Sequence, residues 1–165
     1  MLARNNHERP SREEDYPAWF LDQAKALRRH KPRELDWASL AEQLEEMYAQ
    51  ATGDLLSDLR VVLQHLLKLQ FQPSDNELKR RARGWKLSAT EHRNRIDWFL
   101  RHSRSVRKKL PEFVEDAYTG ARKEAALHMN VEERALPAKC PWIPEQVCDL
   151  DFFAGRATSS NGHRR

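Results

Sequence analysis

From Leu40 onward, apolar residues recur every three or four positions: Leu40, Leu44, Met47, Ala51, Leu55, Leu59, Val62, Leu66 and Leu69. That interval is the repeat of one helix face, whereas a strand alternates its side chains with a period of two. The phase survives Gly53, so the run reads as one long helix bent near Gly53 or as two helices nearly end to end. In its second half Leu56, Leu63 and Leu67 widen the apolar arc. A helix apolar on most sides is central in its bundle.

The remaining elements follow the same logic. Asp15 is a suitable N-cap for a first helix, with Pro17 in its first turn and Tyr16, Trp19, Phe20, Gln23 and Leu27 at helical spacing until Pro32 ends the run. Asp36 caps the long second helix, and Gln72-Pro73 stops it. Leu78, Ala82, Trp85, Ala89, Ile96, Phe99 and Leu100 form the stripe of a third helix, and Ser103 to Ser105 read as a turn. Pro111 begins another long helix, with Phe113, Val114, Ala117, Tyr118, Ala121 and Ala125 at helical spacing, that ends near Asn130. Beyond it an extended segment holds a short helical turn at Pro144 to Cys148, which Trp142, Val147, Phe152 and Phe153 clip onto the bundle. Only 5 glycines among 165 residues, with 33% charged side chains, suit amphipathic helices and not sheets. The expectation is an all-α fold, a compact bundle of about four or five helices with a long central second helix. Its core should contain Trp19, Leu40, Leu44, Leu59, Val62, Leu66, Ile96, Val114 and Tyr118. Residues 1–14 read as a disordered arm, 15–153 as a single domain, and 154–165 as a disordered tail.

No apolar stretch suits a leader or a membrane span. Met1 to Glu14 is polar, and Leu59 to Phe71 is broken by Arg60, Gln64, His65, Lys68 and Gln70. The expected compartment is the cytoplasm, with no membrane partner. Cys140 and Cys148 then read as structural thiols, since zinc would need a second ligand pair at matching spacing.

Several strings resemble a known group: HLLKLQFQP (His65 to Pro73), RGWKLS (Arg83 to Ser88), AYTGAR (Ala117 to Arg122) and CPWIPEQVCDLDFF (Cys140 to Phe153). Tyr16, Trp19, Gln23 and ELDWASLAEQLEEM (Glu34 to Met47) match in the same order. Over roughly Asp15 to Phe153 the chain resembles the bacterial family called domain of unknown function 29. The resemblance implies a helical bundle in a bacterial cytoplasm and carries no established activity. One departure is Ile143, where the family pattern leads one to expect a Ser or Thr cap before the last short helix.

Charge is the strongest compositional signal. Residues 79–109 hold twelve Lys or Arg against Glu91 and Asp97, a net of +10 in a chain of +4, so the remainder sums to −6. Lys79, Arg83, Lys86, Arg93 and Arg101 fall within about 80° on a helical wheel. Such a stripe can hold phosphates by charge, with Trp85 and Trp98 adding stacking. The plainer reading is intramolecular: the acids Glu42, Glu45, Glu46, Asp54 and Asp58 of the second helix lie next in sequence and balance it.

Three further sets carry chemistry in principle. Glu42 and Glu45, with Glu112, Glu115 and Asp116, are weak metal candidates of the kind that binds Mg²⁺ between facing helices. Asp58 and His65 share a wheel phase at the edge of the central arc, and Tyr118 and Arg122, one turn apart, are their potential polar-core partners or pocket walls. No nucleophile–base–acid set, Gly-rich phosphate loop or nucleotide fingerprint occurs, so no catalytic residue and no cofactor are expected. The leading functional reading is a non-enzymatic interaction module that binds a partner protein or itself. Weak sequence-independent nucleic-acid or polyanion binding through 79–109 is the alternative, and a Mg-dependent enzyme built on the acidic clusters is the second alternative.

Overall fold

The computed structural model describes residues 9–72 and 78–155, with side chains in the third helix described from Arg81 onward. Six helices are present among the described residues: α1 (Tyr16–Arg28), α2 (Trp37–Phe71), α3 (Leu78–His102), α4 (Arg104–Lys108), α5 (Leu110–Met129) and α6 (Pro144–Cys148). Short 3₁₀ turns lie at Pro32–Glu34 and Glu133–Ala135, and no strand occurs among the described residues. The all-α class therefore holds, with four long helices, among them a 35-residue α2 that keeps helical geometry through Gly53. No described helix is long and apolar enough to cross a membrane.

The helix boundaries have local causes. Asp15 Oδ1 accepts the Ala18 N–H at 3.0 Å, and Asp36 Oδ1 accepts the Ser39 N–H at 3.2 Å, so each satisfies an orphan donor of its helix. α1 and α5 end alike. His30 and Asn130 both take φ of 53°, and the next residue's N–H returns to a carbonyl five residues back, Ala26 or Ala126. Ser103 breaks α3, but the expected three-residue turn is shorter than that, because Arg104–Lys108 at once forms α4. Arg107 supports this corner by donating twice to the Leu100 carbonyl, at 3.1 and 2.7 Å, at the open end of α3. Ile143 offers α6 no side-chain acceptor; instead Gln146 Oε1 accepts the Ile143 N–H at 3.2 Å, half of a capping box.

The chain divides into two units, 1–51 and 52–165, with the boundary inside α2. In the first unit α1 buries Trp19 and Ala26, and Tyr16, Trp19 and Phe20 form an aromatic cluster with ring centroids 4.7 to 6.3 Å apart. Its polar seams are specific. Tyr16 donates to Gln43 Oε1 at 2.6 Å, and Gln23 Oε1 accepts the Asp36 N–H at 2.7 Å. Arg12, within the segment expected to be a disordered arm, spans Glu42 and Glu46 at 2.8 and 3.0 Å. Residues 1–8 lie outside the described residues.

The second unit carries a continuous apolar core. Leu55, Leu59, Val62, Leu63, Leu66 and Leu67 of α2 meet Ile96 and Leu100 of α3 and Val114, Ala117, Tyr118, Ala121 and Ala125 of α5. The small residues of α5 admit close approach: a Cβ on Gly120 would lie 2.8 Å from Arg60 Nε. Trp142, Val147 and Ala154 complete this core, so the extended segment is clipped on as its apolar residues predict. Ala154 is the first residue of the expected tail; 156–165 lie outside the described residues.

Candidate functional site

The first candidate surface lies on α2 before Ala51. Taking 100° per residue, Trp37, Leu40, Leu44, Met47, Tyr48 and Ala51 occupy an arc of about 100°. α1 and Arg12 engage Gln43, Glu42 and Glu46, which lie outside that arc. Trp37 is 61% exposed, Leu44 66%, Met47 56% and Tyr48 59%. Leu44 therefore departs from its expected place in the core, and Leu40 is only half-buried. The reason is that α1 packs beside a polar flank of α2 and leaves this apolar stripe open. Of the weak metal candidates, Glu42 is tied to Arg12 and Glu45 is exposed, while Glu112, Glu115 and Asp116 are exposed on the opening turns of α5. Among the described residues no group of three or more His, Cys, Asp or Glu is gathered as a metal site would require.

The basic helix is less uniform than its wheel. Arg83 is exposed, and the Lys79 side chain lies outside the described residues. Lys86 Nζ sits 5.1 Å from the Phe153 ring centroid, and Arg101 pairs with Asp97 at 2.7 Å one turn away. Arg93 leaves the surface stripe altogether. It has no exposed area and donates to the carbonyls of Val147 (2.7 Å), Phe152 (2.8 Å) and Gln146 (3.3 Å), with its guanidinium 5.2 Å from the Phe153 centroid. Those carbonyls belong to α6 and the turn after it, so Arg93 caps the clip. Asp58 does meet α3, but through residues off the stripe: His92 Nδ1 at 2.6 Å and Arg95 at 3.0 Å.

The polar core also departs from the expected pairing. Tyr118 donates to the Pro137 carbonyl at 2.8 Å, and Arg122 reaches Glu133 Oε1 and the Glu133 and Leu136 carbonyls at 2.8, 2.8 and 3.3 Å. Both thus hold the segment after α5 instead of partnering His65. Burial pushes the Tyr118 phenol up to about 12. His65 is 9% exposed with Nδ1 buried and unbonded. Burial, then the charges of Lys68, His92 and His128, lower its imidazole to about 4.

Lys68, which the sequence pattern does not single out, completes this cluster. It is 4% exposed; its Nζ lies 2.8 Å from His128 Nδ1, 3.3 Å from Gln64 Oε1 and 5.6 Å from the Trp85 centroid. Gln64 in turn donates to Glu124 Oε2 at 3.2 Å. Burial lowers the Lys68 amine, and the Glu124 charge partly restores it. The signal for it lies in the apolar arc, which is so wide over 62–68 that any polar residue there is enclosed. Burial also raises both thiols, Cys148 to about 11, which keeps them in the unreactive protonated form.

The strings that carry the family resemblance each have a structural place. HLLKLQFQP carries Lys68, RGWKLS brings Trp85 over it, AYTGAR supplies Tyr118 and Arg122, and CPWIPEQVCDLDFF presents the carbonyls that receive Arg93. A family model, Domain of unknown function DUF29, matches residues 12–153. The chain belongs to that family. In this DUF29 protein the matched region takes in the aromatic cluster of α1, the open face of α2 and the whole clip. No curated protein and no solved structure matches the chain, so a reading of function for this DUF29 member rests on its own geometry.

Proposed function

We propose that this chain is a helical interaction module that pairs with a second copy of itself through the apolar face of α2 before Ala51. The carrying observation is the exposure of Trp37, Leu44, Met47 and Tyr48 along one side of a helix, large apolar groups that water disfavours. Trp37, Leu40, Leu44, Met47 and Ala51 alternate spacings of three and four, which is the seam spacing of a two-helix coiled coil. The positions flanking that seam are Ala41, Gln43, Tyr48 and Gln50, so no like charges oppose a pairing of identical helices. The seam is short, and the association should be weak and concentration-dependent.

Sedimentation velocity across a wide concentration range tests this. Reversible dimers in the wild type, abolished by Leu44→Glu with Met47→Glu while the helical circular dichroism is unchanged, support the reading. A wild type that stays monomeric at the highest concentration overturns it.

A further inference from the structure

The cations best placed to meet a ligand are not those of the helical stripe. Between Arg101 and Lys109 the chain carries five Lys or Arg and no acid. Arg101 is held by Asp97, and Arg107 is spent on the Leu100 carbonyl. Arg104, Lys108 and Lys109 are exposed, and none has an ion-pair partner among the described residues. With Ser105 these three line one open concavity of about 610 Å³. Lys108 also lines the neighbouring groove of about 600 Å³, with Arg101 and Arg107, so the two hollows meet at Lys108. Asp97, paired to Arg101, and Glu145 also line that groove, and Glu112 lies exposed on the first turn of α5.

Next to this corner stands an aromatic pair. Trp98 is 65% exposed, and its ring centroid lies 4.9 Å from that of His102. The His102 imidazole is fixed by its own Nδ1, 2.7 Å from the Trp98 carbonyl. An indole this exposed contributes little to folding. Trp98 and Lys109 are eleven residues apart, a rise of about 17 Å on an unbroken helix, and the chain between them turns at Ser103. Unpaired cations beside an exposed flat ring are the combination that single-stranded nucleic acids use: phosphates on the charges, an unstacked base on the ring. A duplex would satisfy only the charges, and an anionic bilayer would seek a broader apolar face than one indole.

We infer that the corner formed by the end of α3, α4 and the start of α5 is a binding surface for single-stranded nucleic acid, with Arg104, Lys108 and Lys109 holding phosphates and Trp98 and His102 stacking a base. This inference does not rest on the proposed pairing face of α2. Three phosphate contacts on a single strand give a salt slope near −0.7 each, so affinity falls about 20-fold between 50 and 200 mM salt. One stacked base contributes roughly a 5- to 150-fold factor.

The test is fluorescence anisotropy with labelled oligo-uridine, oligo-thymidine and a duplex of equal length, using the full chain. The expected result is tighter binding to either single strand than to duplex. A triple replacement of Arg104, Lys108 and Lys109 by Gln should weaken it at least tenfold and flatten the salt slope. Trp98→Ala should weaken it at least fivefold at unchanged slope, and wild-type Trp98 emission should quench on binding. Both variants alter exposed side chains, and an unchanged melting temperature verifies the fold. Equal affinity for duplex and single strand, indifference to either variant, or binding to phosphatidylserine vesicles without binding to the oligonucleotides would each overturn the inference.

Discussion

Leu44 and Leu66 lie on the same stripe of the same helix, yet one is 66% exposed and the other has no exposed area. Around Leu66, helices α3 and α5 supply side chains from several directions, and the apolar cluster of the second unit closes over it. Around Leu44 the described residues of the first unit leave that face uncovered: the Tyr16 hydroxyl of α1 bonds Gln43 and Arg12 pairs with Glu42 and Glu46, all on the polar flank of α2. One amphipathic pattern therefore produces a core in one unit and an open face in the other. A stripe states that a helix wants a cover; only neighbouring elements decide whether it has one. The second unit should accordingly carry the stability and the first unit a surface.

The largest effect should come from Arg93, the guanidinium that joins α3 to the carbonyls of α6 and of Phe152. Arg93→Ala removes three charge-assisted donors and opens a cavity in a closed site, leaving buried carbonyls without partners. A loss of about 3–5 kcal/mol in denaturant unfolding is expected, with early proteolysis after residue 137 as the clip lets go. A loss below about 1 kcal/mol would show that the clip is held by Trp142 and Val147 alone. Leu66→Ala should follow at about 2–5 kcal/mol, the range for a large aliphatic removed from a packed core.

Next in size is an acid-sensitive limb. The His65 imidazole sits near 4 in the folded chain against 6.5 in the unfolded one. Between those values the unfolded state binds the proton and the folded state does not, so stability rises with pH there. The contribution is complete above pH 6.5 and is lost as pH falls toward 4, at most about 3 kcal/mol in total. His65→Leu should keep the neutral-pH stability and remove that part of the acid loss. An unaltered acid limb in the variant would assign the loss to other groups.

Much of this architecture is legible in the amino-acid sequence. The caps Asp15 and Asp36, the end of α2 at Phe71, the turn at Asn130 and the short helix α6 each follow from local chemistry, because the decisive partners lie within a few residues. Arg93 and Lys68 escape that reading for a common reason. A helical wheel places a residue relative to its own helix, but not relative to what lies opposite. Arg93 stands beside the apolar arc of α3 and finds the carbonyls of residues more than fifty positions later. Lys68 looks like an interruption of an apolar run and instead finds His128 of α5. Tyr118 and Arg122 do share one face of α5, as their spacing predicts, but their acceptors lie on the segment that returns over that face.

The smallest expected effect sharpens the opening contrast most directly. Leu44→Gln keeps a long side chain, preserves helix propensity and replaces an apolar surface group by a polar one. If the face around it is open in the isolated chain, unfolding measured at high dilution should change by no more than about 0.5 kcal/mol. The same substitution at Leu66 would bury an amide without partners and should unfold the second unit. At high concentration the picture for Leu44 should differ, because any stabilisation from pairing grows with the concentration of the partner. The wild type should then melt at a higher temperature as concentration rises, and Leu44→Gln should not. A dilution-independent loss of about 2 kcal/mol or more for Leu44→Gln would mean that the stripe is covered within the chain itself. The two halves of α2 would then be alike, and the open face would no longer be available as a pairing surface.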